Sequence, residues 1–229
     1  MAFAVIAAGG AGDRLGGDEA KFEAALLGRP LVTYSLDACE GAISIEGVIL
    51  VVPPTKLDAW NCERVRSMGF SKVMNTVAGG ASRQESVLNG LRALEAAPGV
   101  VAVHDAARPL ATAAMFDRAC DIPEGLVGLI TAIPVTDTVK EVAGGQVVTT
   151  LDRSVLVSVQ TPQSFVYDVI VRAHLNAARD GYTGTDDSAL VERDGGLVGV
   201  VEGSRENIKV TYPADLRVAE AVLRGRAGK

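Results

Sequence analysis

Apolar runs of about six residues alternate along this chain with stretches whose apolar positions recur every three or four. The runs at 3–8, 48–52, 72–77, 100–104 and 126–133 are apolar on both faces and predict buried strands. Helical spacing predicts helices over 31–39, 56–68 and 82–97 between them. Pro30 opens the first of these, Gly69 could end the second, and Ser82 with Glu85 three residues on forms a capping-box pattern. Val87, Leu88, Leu91 and Leu94 share one face of the third. Strands covered on both faces and separated by helices predict an α/β fold, a three-layer, Rossmann-like, mostly parallel sheet. Beyond residue 133 the pattern changes. Residues 138–160 read as paired extended segments around Gly144-Gly145, a protruding β-arm. Helices over 166–179 and 186–193, a strand at 198–201 and a helix at 214–223 complete the chain. With no repeat or linker in view, residues 1–229 read as one domain carrying the arm.

Composition narrows the class. The 229 residues carry 28 Asp and Glu against 22 Lys and Arg, a net charge of −6, which disfavours nucleic acid and anionic membranes as partners. No apolar stretch reaches membrane-spanning length, and no basic leader precedes Ala2-Phe3-Ala4-Val5-Ile6. Cys39, Cys62 and Cys120 form no Cys-x-x-Cys pair, and only His104 and His174 could join them at a metal. Free thiols in a reducing cytoplasm are the expectation. His104, His174 and Trp60 read as packing residues.

Chemistry gathers first in the loop that follows the first strand. Gly9-Gly10-Ala11-Gly12-Asp13-Arg14-Leu15 lacks the third glycine of a dinucleotide fingerprint and the Gly-Lys-Ser/Thr of a Walker loop. Its glycines allow close backbone approach to a phosphate, and Arg14 with Lys21 adds two cations that suit a triphosphate. A glycine loop with two solvated cations is the alternative. Asp105 and Arg108 follow the fourth strand, at the sheet edge where ligands of such folds collect.

Ala8-Gly9-Gly10-Ala11-Gly12-Asp13-Arg14-Leu15 with Lys21 resembles the signature loop of sugar-phosphate nucleotidyltransferases. Gly79-Gly80-Ala81-Ser82-Arg83, His104-Asp105-Ala106-Ala107-Arg108-Pro109, Asp137-Thr138-Val139-Lys140, Asp152-Arg153, Thr161-Pro162-Gln163, Thr185-Asp186-Asp187 and Asn207-Ile208-Lys209 follow in the order of one branch. That branch is the 2-C-methyl-D-erythritol 4-phosphate cytidylyltransferase family, and the resemblance spans essentially the whole chain. It implies an enzyme that joins CTP to methylerythritol phosphate with release of pyrophosphate, aided by magnesium or another divalent ion. Arg14, Lys21, Arg153 and Lys209 would be the catalytic cations. Ala8, Gly9, Gly10, Gly12, Gly80, Arg83, Ser86, Asp105 and Ala106 would hold CTP. Asp105, Arg108, Thr138, Arg153, Thr161 and Thr185 would meet the sugar phosphate, and Asp105 could hold the metal through water. The resemblance also implies a homodimer whose arms swap, so that Arg153 serves the neighbouring subunit.

Two positions depart from the family pattern. Ala20 stands where a proline usually precedes the loop lysine, and Ala81 where an acidic residue is common. The Ala-Gly-Gly start of the loop is closer to a sister branch that makes CDP-ribitol, so ribitol phosphate is the second candidate substrate. A regulator that binds nucleotide without turnover is the candidate of a different class; it would be expected to lose Arg14, Lys21 or Lys209.

Overall fold

The computed structural model describes residues 2–9, 20–94 and 99–228. In chain order its strands and helices are β1 (Ala2–Ala7), β2 (Ala25–Leu26), β3 (Arg29–Pro30), α1 (Leu31–Gly41), β4 (Ile45–Val52), α2 (Cys62–Ser67) and β5 (Val73–Ala78). There follow α3 (Arg83–Arg92), β6 (Val100–Asp105), α4 (Ala113–Cys120), β7 (Gly128–Pro134), β8 (Lys140–Ala143), β9 (Gln146–Thr150) and β10 (Val157–Val166). The chain ends with α5 (Tyr167–Arg179), α6 (Asp187–Arg193), β11 (Val198–Glu202) and α7 (Pro213–Ala227). No helix among the described residues is long and apolar enough to cross a membrane.

The central sheet runs β11-β7-β10-β6-β1-β4-β5. Its pairs are parallel except those of β10, which is antiparallel to both β6 and β7. The expected three layers are present. Alternate residues of each strand feed opposite cores, as the period of two requires. Ala4, Ile6, Leu50 and Ala102 face the core that includes Leu36 of α1 and Phe116 of α4. Val5, Ile49, Val51, Val101 and Val103 face the one that includes Leu91 of α3 and Ile170 of α5. A smaller cluster joins α7 through Ala219 to Leu26, Leu31, Leu110 and Val210. Gly90 of α3 lies so close to the sheet that a Cβ there would stand 2.5 Å from Val5.

Several expected elements differ. The 56–68 helix is only α2 over Cys62–Ser67, preceded by a 3-10 turn at Pro54–Lys56. The regular helix starts only at a new cap, Asn61, whose side chain accepts from Arg64 N–H. The 82–97 helix is α3, ending at Arg92. Its cap is offset from the expected box: Ser82 Oγ accepts from Glu85 N–H, but Glu85 reaches back to the Ala81 amide at 2.7 Å. Helix α4 was not anticipated. Its buried Met115, Phe116 and Ala119 span little more than one turn, too short for a sustained period. The β-arm is the β8–β9 hairpin with the 3-10 turn Arg153–Val155 that follows it, and the 138–160 range overruns it, because 157–160 already belong to β10 of the central sheet.

Candidate active site

The carboxyl ends of β1, β5 and β6 meet at one edge of the sheet. Gly9 follows β1 and Gly79 follows β5. A Cβ on Gly79 would stand 3.0 Å from the Gly9 Cα and 2.8 Å from Ser86 Oγ, so the two loops touch back to back and tolerate no side chain. Ser86, buried in the first turns of α3, holds this junction. Its hydroxyl accepts from Gly80 N–H at 3.0 Å and donates to the Ser82 carbonyl at 2.8 Å. With Gly79 N–H on Val52 O and Ala81 N–H on Glu85, all three amides here are committed internally. Any base read at Gly80 must therefore use carbonyls or displace one of these bonds. Ala8 and Ala106 turn their methyl groups into the core, leaving only their backbone for a ligand.

Asp105 ends β6 and is the centre of a charged cluster. Arg83 donates through Nε to Asp105 Oδ1 at 2.8 Å, and Lys209 donates through Nζ to Oδ2 at 2.6 Å. Burial alone would raise the Asp105 carboxyl, but the two cations outweigh it and hold it well below the usual carboxylate range. Arg83 also donates to Asp187 Oδ2 at 2.8 Å, and Asp187 accepts from His174 Nε2 at 3.1 Å. The path runs from His174 and Asp187, both buried, to Lys209, exposed at 44%.

A second network supports the backbone of Asp105. Asp105 N–H donates to Thr161 Oγ1 at 3.1 Å, and Thr161 Oγ1 lies 3.0 Å from His104 Nδ1. His104 Nε2 faces the Arg108 carbonyl at 3.2 Å, which can only accept. Nε2 therefore carries the proton, Nδ1 accepts from the Thr161 hydroxyl, and every group in the chain is satisfied. Burial pushes the imidazole down to about 4, so it is neutral at pH 7. Arg108 points its guanidinium at the carbonyls of Asn207 and Val159, at 2.8 and 3.2 Å. Asn207 and Gln160 then tie β10 to the 204–207 turn.

The structure thus brings together Gly9, Gly80, Arg83, Ser86, Asp105, Ala106, Arg108, Thr161 and Lys209. Thr185 joins Arg83 and Asp187 in lining a cavity between the start of α3 and the start of α6. Thr138 and Arg153 are exposed and stand apart from this cluster; Arg153 donates to the Thr136 carbonyl beside it. Gly10, Gly12 and Arg14 lie outside the described residues. Lys21 is half-buried, and its charge helps to lower the Asp215 carboxyl, after that group's hydrogen bonds from Tyr212 and Thr211 N–H. Asp105 does not fit as a direct metal ligand. Both its oxygens already accept from cations, and no three His, Cys, Asp or Glu side chains among the described residues converge on a metal position.

The sequence profile of the family "IspD: 2-C-methyl-D-erythritol 4-phosphate cytidylyltransferase" matches residues 2–225. The chain belongs to this family. A cytidylyltransferase of that name from Pelotomaculum thermopropionicum is 43% identical over 228 residues, covering 99% of this chain and 95% of that protein. The 2-C-methyl-D-erythritol 4-phosphate cytidylyltransferase structure from Thermus thermophilus is 31% identical and superposes with a TM-score of 0.79, covering 96% of this chain and 98% of that one. The 4-diphosphocytidyl-2C-methyl-D-erythritol synthase of Anaerococcus prevotii gives a TM-score of 0.83 at 28% identity, with 97% and 96% covered. The chain is accordingly an enzyme of the cytidylyltransferase class.

Within this cytidylyltransferase, sequence reasoning quoted Asp187, Gln163 and Asn207 in their motifs without giving them a role, and read His174 as packing alone. Gln163 Nε2 donates to Asp186 at 2.8 Å and clamps the start of α6 to β10. The Thr185-Asp186-Asp187 motif drew attention only to its threonine. A signal was available in Asp187, a carboxylate one residue after the Asp186 cap and so not needed to start the helix.

Proposed function

We infer that the chain transfers a cytidylyl group from CTP to 2-C-methyl-D-erythritol 4-phosphate, an isoprenoid-precursor step, releasing pyrophosphate. The observation that carries this reading is the Arg83–Asp105–Lys209 cluster at the strand-end edge, in a chain of this family. A phosphate oxygen of the polyol attacks the α-phosphorus of CTP. The new P–O bond forms as the bond between the α-phosphorus and the bridging oxygen breaks, and pyrophosphate leaves with that oxygen. The attacking oxygen is already ionised, so no general base is needed. His104, neutral and fully bonded, is free of that duty. Catalysis then rests on positioning and charge.

In this scheme Lys209, held by Asp105, carries the polyol phosphate beside the α-phosphate. Arg14 and Lys21 meet the growing charge on the triphosphate, and Gly9, Gly10 and Gly12 offer backbone amides to it. Thr185 and Arg108 border the polyol, Arg108 mainly by bracing the strand end through the Asn207 and Val159 carbonyls. Thr161 acts through the Asp105 amide, since its hydroxyl is engaged on both sides. A divalent ion would enter with the triphosphate and its water, and no step here runs through it.

We further propose a homodimer in which the arm crosses to a second copy and delivers Thr138 and Arg153 to its site. Two facts support this. The arm leaves Val142, Val147, Val148 and Val155 more than half exposed, and Arg153 is held to its own hairpin base. Residues 1–229 would then act as one catalytic domain. Three unpaired cysteines suit a reducing cytoplasm.

Pyrophosphate release with CTP and each polyol phosphate tests the reading. Turnover with methylerythritol phosphate is expected. Turnover with ribitol phosphate alone would replace the substrate, and CTP binding without turnover would favour a regulator.

A further inference from the structure

Three features of the buried network take no direct part in this chemistry. They are Asp187, His174 and the second contact of Arg83. Arg83 is the first residue of α3, directly after the Ser82 cap, so the position from which its side chain starts is fixed by Ser82 and Glu85. Its guanidinium spans two carboxylates from distant elements, Asp105 at the end of β6 and Asp187 at the start of α6. Helix α6 does not need Asp187 as a cap, because Asp186 accepts from Ala189 N–H at 2.9 Å. Both Asp187 oxygens are therefore available to other elements, one for Arg83 and one for His174.

His174 is fully buried in α5, and its Nδ1 has no partner. Nε2 must carry the proton to donate to Asp187, since an unpartnered lone pair on Nδ1 costs less than an unpartnered N–H. The imidazole presses on one oxygen of Asp187 and so sets which way the carboxylate faces. An apolar side chain would fill the same space without setting that orientation.

We propose that Asp187 and His174 are positioning residues for cytidylyl transfer: they fix Arg83, Arg83 fixes Asp105, and Asp105 fixes Lys209. The proposal rests on the cytidylyltransferase reading. Lys209 is the most exposed member of the chain, and its Nζ is held at 2.6 Å from an aspartate whose other oxygen is already taken. If Asp187 is lost, Arg83 can turn away, Asp105 gains rotational freedom, and the ammonium it holds moves relative to the phosphorus. Shifts of this size far from the reacting atoms are costly in rate.

The test compares variants at a temperature where each is fully folded. Asp187→Asn should lower kcat/KM for methylerythritol phosphate by about tenfold to a hundredfold, and because Arg83 and Asp105 also stand among the residues expected to hold CTP, the KM for CTP should rise with it while kcat falls. In an Arg83→Lys background, whose ammonium cannot bridge both carboxylates in the same way, Asp187→Asn should cost nothing further. An equal loss in both backgrounds would overturn the proposal, as would a lowered melting temperature with unchanged turnover per folded molecule. His174→Gln keeps a donor near the Nε2 position and should restore most of the turnover lost in His174→Phe; equal loss in the two would also overturn it. If the wild-type chain shows no turnover with methylerythritol phosphate, the functional reading fails first. The Arg83 anchor is then decided by its ¹⁵Nε–H resonance, which should be sharp and slowly exchanging in the wild type and lost in Asp187→Asn. A resonance unaffected by the substitution counts against the anchor.

Discussion

The strand-end cluster and the β8–β9 arm are built on opposite principles. In the cluster the carboxylates are buried and every charge is answered: Asp105 has two cations, Arg83 two carboxylates, and the Asp105 amide reaches a threonine that reaches a histidine. In the arm the apolar residues face outward, and its cation Arg153 holds only a neighbouring carbonyl. A buried network is stable only when complete, because a lone charge inside a protein is costly. An exposed hairpin of two strands has little stability of its own and acquires definition from whatever covers it. The cluster is preorganised within this chain, and in the proposed dimer the arm is completed from outside it. Each substitution below separates these two conditions.

The largest effect is expected at Asp105. Asp105→Asn leaves Arg83 and Lys209 facing each other with one charge fewer between them. It should lower kcat/KM by about a hundredfold. It should also destabilise the fold by up to about 3 kcal/mol, the low end for breaking a buried pair, because Lys209 is partly solvated. Pyrophosphate release and urea unfolding measure the two losses. A loss of turnover with unchanged stability would make the cluster resemble the arm and break the contrast.

The next effect is a pH dependence of stability from His104. Burial holds its folded pKa at about 4, against 6.5 for a free imidazole; the Asp105 charge opposes this and the Arg108 charge reinforces it. Between those values the unfolded chain binds a proton that the folded chain does not, so stability falls as pH drops from about 6.5 to about 4. The loss amounts to about 3 kcal/mol across the window. The lowered carboxyls of Asp105 and Asp187 act lower still. Their stabilisation is present above an unfolded pKa of about 4 and is lost as the pH falls through their folded values. Urea unfolding at pH 7 and pH 5 should show the first loss, and His104→Gln should flatten it. An unchanged slope in that variant would move the origin of the effect away from the imidazole.

How much of this was legible in the sequence differs between the two regions. The strands β1, β4 and β6 announced themselves because both their faces are largely buried, so their central positions are apolar. Asp105 stood out as the polar residue ending such a run. Strand β10 was harder, since Gln160, Thr161, Gln163 and Ser164 are polar yet buried. Their cost is cancelled by partners such as Asn207, Asp186 and the Asp105 amide, which lie far away in sequence. The pairing of Arg83 with Asp187 was invisible for the same reason: only tertiary closure brings the starts of α3 and α6 together. The arm, by contrast, was legible as an excursion around Gly144-Gly145, because a local hairpin requires only local signals. The roles of Arg14, Gly10 and Gly12 came from the make-up of their loop, sharpened by family resemblance.

A smaller effect is expected at Arg153. Because the residue is exposed and held only by the Thr136 carbonyl, Arg153→Ala should leave the melting temperature almost unchanged. It should nevertheless lower kcat/KM for methylerythritol phosphate about tenfold, the value of one charge-assisted bond. Mixed dimers sharpen the point. An Arg153→Ala subunit paired with one defective only at Lys21 has one intact site if the arm crosses over, and partial activity should return. Absence of activity in properly formed mixed dimers would place Arg153 in its own subunit's site.

The smallest effect within the chain is expected from the arm's outward valines. Val148 and Val155 are 59% and 79% exposed, so replacing them with serine removes little contact with their own chain. Unfolding of the dilute, monomeric protein should change by less than about 0.5 kcal/mol. The same variants should weaken self-association, read by sedimentation over a range of concentrations, since each apolar side chain covered by a partner contributes about 1 kcal/mol or more. The two measurements together locate the partner of these side chains. A large loss in the dilute monomer would mean that the arm packs on its own chain, and an unchanged sedimentation profile would mean that no second copy covers it. A small intramolecular loss joined to a large intermolecular one is the signature of an element that is finished only by assembly, and that outcome would set the arm apart from the buried cluster at Asp105.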